Sequence, residues 1–307
     1  MMLRFLAGRS VQSVVILIGV TMITFGLSFL LPADPVQLIA GRSATPETVE
    51  SIRHQLGLDQ PVPVQYLRYL GNLVQGDLGR SYVQRVEVNE LIASRLPATL
   101  QLMAAAILFE LLLGLPAGIY SATRRNRTSD KVVMVLSFIG VSAPQFVVGL
   151  LLLYVFAYKV ELFPLGGYGT PAHVVLPALT LGITIAGWYS RMSRSSMVDV
   201  LRQDYVRTAR AKGMSESRVV LVHGLRNGML PIVAMVGIDI GLYMQGVVVV
   251  EAVFGWPGIG QLAFQAIQRV DIPVIMAVTL VAAVGIVIGN LLADIATSFV
   301  DPRVRRR

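Results

Sequence analysis

The sequence predicts an all-α integral membrane protein, and three observations carry that expectation. Of its 307 residues, 54% are hydrophobic and only 14% are charged. The apolar residues gather in blocks long enough to cross about 30 Å of hydrocarbon at about 1.5 Å per helical residue. Basic residues cluster at the ends of those blocks, where they orient membrane spans. The chain has no cysteine, which excludes disulfides and thiolate metal sites.

Six spans are expected, at about 10–31, 98–122, 132–158, 174–192, 229–250 and 273–297. The first follows Arg4 and Arg9 and ends in Leu31-Pro32-Ala33-Asp34-Pro35, which is no small-residue cleavage site. An uncleaved first helix is therefore expected rather than a signal peptide. Pro144 interrupts the third span, so a tilt or kink is expected there. The fourth is short and rich in Thr and Gly.

With both termini inside, 18 of the 26 basic residues fall on the inner side, and the outer segments hold ten carboxylates. That asymmetry places the termini in the cytoplasm. It also accounts for the net charge of +8 without a nucleic-acid partner.

Three regions follow: 1–31 as tail and first span, 32–97 as an outer cap, and 98–307 as the membrane core. The core includes a cytoplasmic loop at 191–228. The cap has helical signals of its own. Thr45-Pro46-Glu47 is an N-cap, a first-turn proline and an early acid. The helix they begin should reach Gln55 or Leu56 and stop at Gly57. Val64, Leu67, Leu70, Leu73 and Val74 then recur at helical spacing before Gly76-Asp77-Leu78-Gly79. Such a cap either shields the bundle or meets an external protein.

No Gly-x-x-x-x-Gly-Lys-Ser/Thr phosphate loop is present, so the chain does not bind ATP through that motif. His54, His173 and His223 are too dispersed for a metal site. No nucleophile–base constellation is seen, so no catalytic residue is expected.

The loop from Asp204 to Asn227 is long, basic and helix-forming, which suits docking of a cytoplasmic partner. Ala209 and Ala211 would allow close helix approach, and Gly213 would end that helix at positive φ. Tyr205 would anchor in a pocket, while Arg207, Arg210 and Lys212 would pair with partner carboxylates. The competing reading is a basic helix lying on anionic lipid.

Glu110, Asp239 and Asp294 fall at membrane depth, where a charge costs about 2.5–3.5 kcal/mol. Such groups should face the bundle interior, a partner or water. On one continuous helix Asp239 shares a face with Tyr243, Gly246 and Val250. Asp239, Tyr243 and Gly246 are therefore candidates for a translocation pathway, with the carboxylate placed to meet a substrate ammonium group. The alternatives are that Asp239 pairs with a partner helix or is protonated. Gly237 and Gly241 form a Gly-x-x-x-Gly step on another face, suited to close helix packing. Asp294, near the inner end of the last span, should pair with a base. Gly114 and Gly118 should bend or pack the second span. Between the last two spans, Glu251, Trp256 and Asp271 are candidates for an outer gate, with interfacial anchoring as the other role for Trp256.

Several motifs in order resemble the first permease subunit of dipeptide/oligopeptide/nickel-type ABC importers. They are Leu56-Gly57-Leu58-Asp59-Gln60-Pro61, Gly76-Asp77-Leu78-Gly79, Leu176-Pro177-Ala178-Leu179-Thr180-Leu181-Gly182 and Arg194-Ser195-Ser196. Asp204 to Gly213, His223-x-Leu225-Arg226-Asn227, Val249-x-Glu251 through Gly260, and Asp301-Pro302-Arg303 complete the set. The resemblance spans essentially the whole chain.

It implies a type I importer bundle in the bacterial inner membrane. It implies a paralogous permease partner, two cytoplasmic ATPase subunits and an extracytoplasmic substrate-binding protein. ATP and Mg would be bound by the ATPases, with no cofactor in this chain. It adds His223 and Arg226 to the ATPase-docking residues. Peptides are the expected cargo, with glutathione, nickel chelates or haem as alternatives on the same scaffold. Relatives commonly carry Arg directly before the acid at Asp271, where this chain has Val270. An ATP-independent transporter would instead show inverted repeats with matching broken helices, and a membrane scaffold would carry nothing across.

Overall fold

This computed structural model describes residues 2–28, 36, 40, 44–55 and 57–300. Leu56 and the Asp301-Pro302-Arg303 tail lie outside the described residues, as do the side chains of residues 1–7 and 298–300. Among the described residues four helices are long and apolar enough to cross a membrane, or six if each of two bent pairs counts as one span. No strand forms among them.

The N-terminal helix α1 is Met2–Ser28, and the cap contributes α2, Pro46–Gln55, and α3, Val62–Val74. The local signals act as expected. The Thr48 N–H donates to Thr45 Oγ1 at 3.3 Å, Gly57 adopts φ 66° after α2, and Gly76 adopts φ 79° after α3. The aromatic face of α3 lies on α1. Tyr66 shares a 3.0 Å hydrogen bond with Thr21, and the Phe25 and Tyr69 rings stack at 5.8 Å.

Helix α4, Val88–Thr123, begins ten residues before the expected second span, because Val88 and Ile92 already bury an apolar face. The expected cap boundary at residue 97 falls inside this helix. The third span is not one kinked helix. It is α5, Thr128–Ser142, and α6, Gln145–Leu152, which continues in π-helical winding over Leu153–Lys159 after a 99° bend. Pro144 lacks the N–H to continue α5, and it drives Ala143 to extended backbone at ψ 128°.

Helix α7, Pro171–Val200, has 30 residues, so the fourth span is longer than its Thr and Gly content suggested. It packs most extensively on α4. Added at Gly114, a Cβ would sit 2.6 Å from the Ala186 carbonyl oxygen; at Gly118 it would strike Ser193 and Ser190. These two glycines therefore pack the helix rather than mark a bend.

After α8, Asp204–Ala211, a helical run over 216–228 leads into α9, Leu230–Met244. Helix α9 stops six residues short of the expected fifth span. The chain then turns at Gly246, with φ 87°, into α10, Val248–Phe254, and α11, Ile259–Gln268. The last helix, α12, is Ile272–Val300. Gly237 and Gly241 do form the packing step expected of them. They sit against Gly289, Ala293 and Ile286 of α12, where a Cβ at Gly289 would lie 2.6 Å from the Gly237 carbonyl oxygen. Asp294 pairs with Arg9 of α1 at 2.8 Å.

Candidate functional site

The loop between α7 and α9 folds as a small unit with its own apolar centre. Val206 and Ala209 of α8 pack against Val219, with Leu201 and Met214 at the edge. Gly213, at φ 77°, reverses the chain after α8 as expected. The Asn227 amide donates to the Tyr205 hydroxyl at 2.8 Å, which holds the two arms of the loop together.

Two expectations for α8 need correction. Ala209 does not face outward for a partner; it is buried under Val219. Arg210, though exposed, is already paired inside the loop. Its guanidinium makes two hydrogen bonds to Glu216, at 2.6 and 3.0 Å, which hold it above its ordinary pKa range. On α8 and its exit Asp204, Tyr205, Arg207, Thr208, Arg210, Ala211, Lys212 and Gly213 are exposed, with Arg207 paired to Asp204 at 3.4 Å; Arg226 is exposed on the second arm and His223 half-buried.

At membrane depth the structure brings together four polar side chains from three helices. The Tyr243 hydroxyl donates to Glu110 Oε1, and the Tyr189 hydroxyl donates to Asp239 Oδ2. Glu110, Tyr189 and Tyr243 are fully buried and Asp239 nearly so, and Glu110 Oε2 has no hydrogen-bond partner. This ties α4 to α9 and α7 to α9 inside one chain. Asp239 and Tyr243 do not line an open path in this state. Gly246 leaves their face because α9 has already ended; its backbone crosses Gly260 instead, 2.9 Å from a Cβ built there.

The outer-loop candidates are likewise structural neighbours rather than exposed groups. Glu251 is buried and accepts from the N–H groups of Val247, at 3.2 Å, and Gln261, at 2.6 Å. Burial pushes its carboxyl above the usual range against those hydrogen bonds. Trp256 is no interfacial anchor. It is 1% exposed, its indole N–H donates to the Ala98 carbonyl at 3.0 Å, and its ring meets Tyr168 edge-on. Asp271 accepts from the Ser81 hydroxyl and the Tyr82 N–H, which fastens the cap to the start of α12.

One cluster escaped sequence reasoning. Asp130, in the first turn of α5, takes a bidentate grip from Arg194 of α7 at 2.6 and 2.7 Å. It also accepts from the Ser121 hydroxyl near the C-terminal end of α4 and from the Asn126 N–H. The available signal was an acid opening a helix between basic residues, with an arginine inside the next span.

The family model described as binding-protein-dependent transport system inner membrane component matches residues 114–306, and its N-terminal companion matches residues 2–104. The chain belongs to the binding-protein-dependent permeases of ABC importers. It is 42% identical over 304 residues to the glutathione transport system permease protein GsiC of Salmonella paratyphi A, covering 99% of each chain. It is 41% identical to GsiC of Escherichia coli (strain K12), with the same coverage. A solved chain of the MetNI methionine ABC transporter, in an inward facing conformation, has the same fold, with TM-score 0.59 and 16% identity. That match covers 69% of this chain and 96% of the other. This permease is thus a multi-pass inner-membrane subunit that is not itself an ATPase. ATP is bound by partner ATPase subunits, and a binding protein completes the importer.

Proposed function

We propose that this permease imports peptides, with glutathione, itself a tripeptide, as the first cargo to test. The names of its 42%-identical relatives support that choice. The reading includes six crossings, each bent pair counted as one, with both termini in the cytoplasm. Residues 32–97 form the extracytoplasmic cap, a paralogous permease completes the channel, and two ATPases dock at 191–228.

The observation that carries the docking role is the fold of that loop. It is a self-packed unit whose exposed residues include the basic, small and aromatic side chains Tyr205, Arg207, Ala211, Lys212, Gly213 and Arg226. Ala211 and Gly213 leave room for close approach, Tyr205 anchors, and the basic residues meet carboxylates of the ATPase. Ala209, Arg210 and His223 shape the loop rather than touch the partner. ATP-driven closure of the ATPases moves this unit, and the attached α7 and α9 pass the motion to the bundle. The pathway then opens alternately to each side. Asp239 and Tyr243 enter that pathway in the states where α4, α7 and α9 separate. Glu251 and Asp271 steady the outer gate, with Trp256 as its buried wedge.

The test is reconstitution of the complex with its binding protein, followed by ATP-dependent uptake of labelled dipeptides, oligopeptides, glutathione, a nickel chelate and haem. Uptake of peptides or glutathione alone is expected. Uptake restricted to the chelate or haem, or uptake without ATP, would sink the reading. Cysteine placed at Ala211 should cross-link to the ATPase, and labelling from outside should miss that position.

A further inference from the structure

Where α5 packs on α7, the chain carries a cation that no described residue neutralises. Arg194 of α7 is matched by Asp130, but Arg191, one turn earlier on α7, makes no ion pair among the described residues. Its Nε is buried without a hydrogen-bond partner. The guanidinium lies instead between two rings, 4.8 Å from the centroid of Phe138 on α5 and 4.2 Å from that of Trp188 on α7. Both residues are 53% exposed, so the rings stand open on the surface. Lys131 stands seven residues before Phe138, on the same face of α5, and it is exposed with no ion pair among the described residues.

An unpaired guanidinium inside a span demands compensation. Stacking on Phe138 and Trp188 supplies part of it. It leaves the in-plane N–H groups without acceptors, and their fork matches the oxygens of a phosphate. The two cations, with the local acid Asp130 already committed to Arg194, favour an anionic occupant. The half-exposed rings, with Val135 between Lys131 and Phe138, offer an apolar trough beneath the charges. Arginine beside tryptophan, with a lysine about two turns along α5, is the chemistry of a membrane interface, and basic pockets between spans take phospholipid headgroups.

We propose that Arg191, Lys131, Phe138 and Trp188 form a binding site for an anionic phospholipid. Its phosphate rests on Arg191, Lys131 attracts the headgroup from about two turns along α5, and an acyl chain runs along Phe138 and Trp188. Only the leaflet, the inner one, depends on the orientation proposed above; the retention experiment below does not.

The purified importer complex is incorporated into phosphatidylcholine vesicles with or without phosphatidylglycerol, re-extracted, and weighed by native mass spectrometry. The wild type should retain phosphatidylglycerol. Arg191→Gln and Lys131→Gln should each lower that retention about fivefold, the effect of one surface charge, with phosphatidylcholine retention unchanged. Lys131 is exposed, so its variant reports even where Arg191→Gln fails to assemble. Equal phosphatidylglycerol retention in wild type and Lys131→Gln would overturn the site. So would displacement of the lipid by an equal concentration of inorganic phosphate, which would make it a free-anion site. Loss of a partner subunit from Arg191→Gln with lipid retention intact would assign the guanidinium to a protein carboxylate instead.

Discussion

Tyr243 of α9 donates its hydroxyl to Glu110 of α4, a carboxyl with no solvent exposure and a second oxygen that finds no partner. Removing either member strands the other in the bundle interior. Tyr243→Phe should destabilise the complex by about 1–3 kcal/mol, the cost of an unsatisfied buried group. Glu110→Gln keeps an acceptor for the hydroxyl and should cost less. Tyr243→Phe combined with Glu110→Leu should recover much of the loss, because no polar group is then stranded. Thermal melts in detergent check the ordering of the three variants.

The Asp130–Arg194 and Arg210–Glu216 ion pairs should behave differently. Asp130 is buried, so Arg194→Met leaves a lone charge and should cost about 3–5 kcal/mol, largely recovered by adding Asp130→Asn. The Arg210–Glu216 pair is exposed on both sides, and Arg210→Gln should cost about 0.2–1 kcal/mol. Denaturation of the purified complex measures both. A larger loss from Arg210→Gln than from Arg194→Met would contradict the burial argument.

Ala209 and Ala211 are two residues apart and should fail in different ways. Ala209→Glu puts a charge under Val219 and should open the loop to protease while reducing uptake. Ala211→Glu lies on the outer surface and should leave the proteolysis pattern unchanged while weakening ATPase attachment. Limited proteolysis and co-purification of the ATPase separate the two outcomes.

Glycine substitutions grade the helix packing. Gly118→Ala forces a methyl group into Ser193 and Ser190 and should cost about 1–3 kcal/mol. Gly71→Ala, in α3 with nothing within 4 Å, should be neutral or stabilise by about 0.4–1 kcal/mol. Tm values for the pair test whether α4 and α7 meet as closely as described.

What was legible in the sequence was local. Thr45-Pro46-Glu47, Gly57 and Gly213 act through their own backbone or a few neighbours, so their roles follow from residue type. Pro144 announced a break, but its 99° angle depends on what α5 and α6 pack against. Ala209 turns inward because Val219, ten residues on, folds over it. Tyr189 and Asp239 are fifty residues apart, and no periodicity in either span indicates that they meet. Trp256 has the composition of an interfacial anchor, yet a carbonyl on α4 draws its N–H inside.

Among the described residues the first helix is tied by Thr21 to Tyr66 and by Arg9 to Asp294, and most of its described apolar side chains are exposed. The tightly packed glycine contacts of α4 with α7 and of α9 with α12 involve none of it. A helix solvated by hydrocarbon on one side and pinned at a few points on the other is an attachment, not a keystone. Removing such a piece should leave the glycine contacts behind it in place.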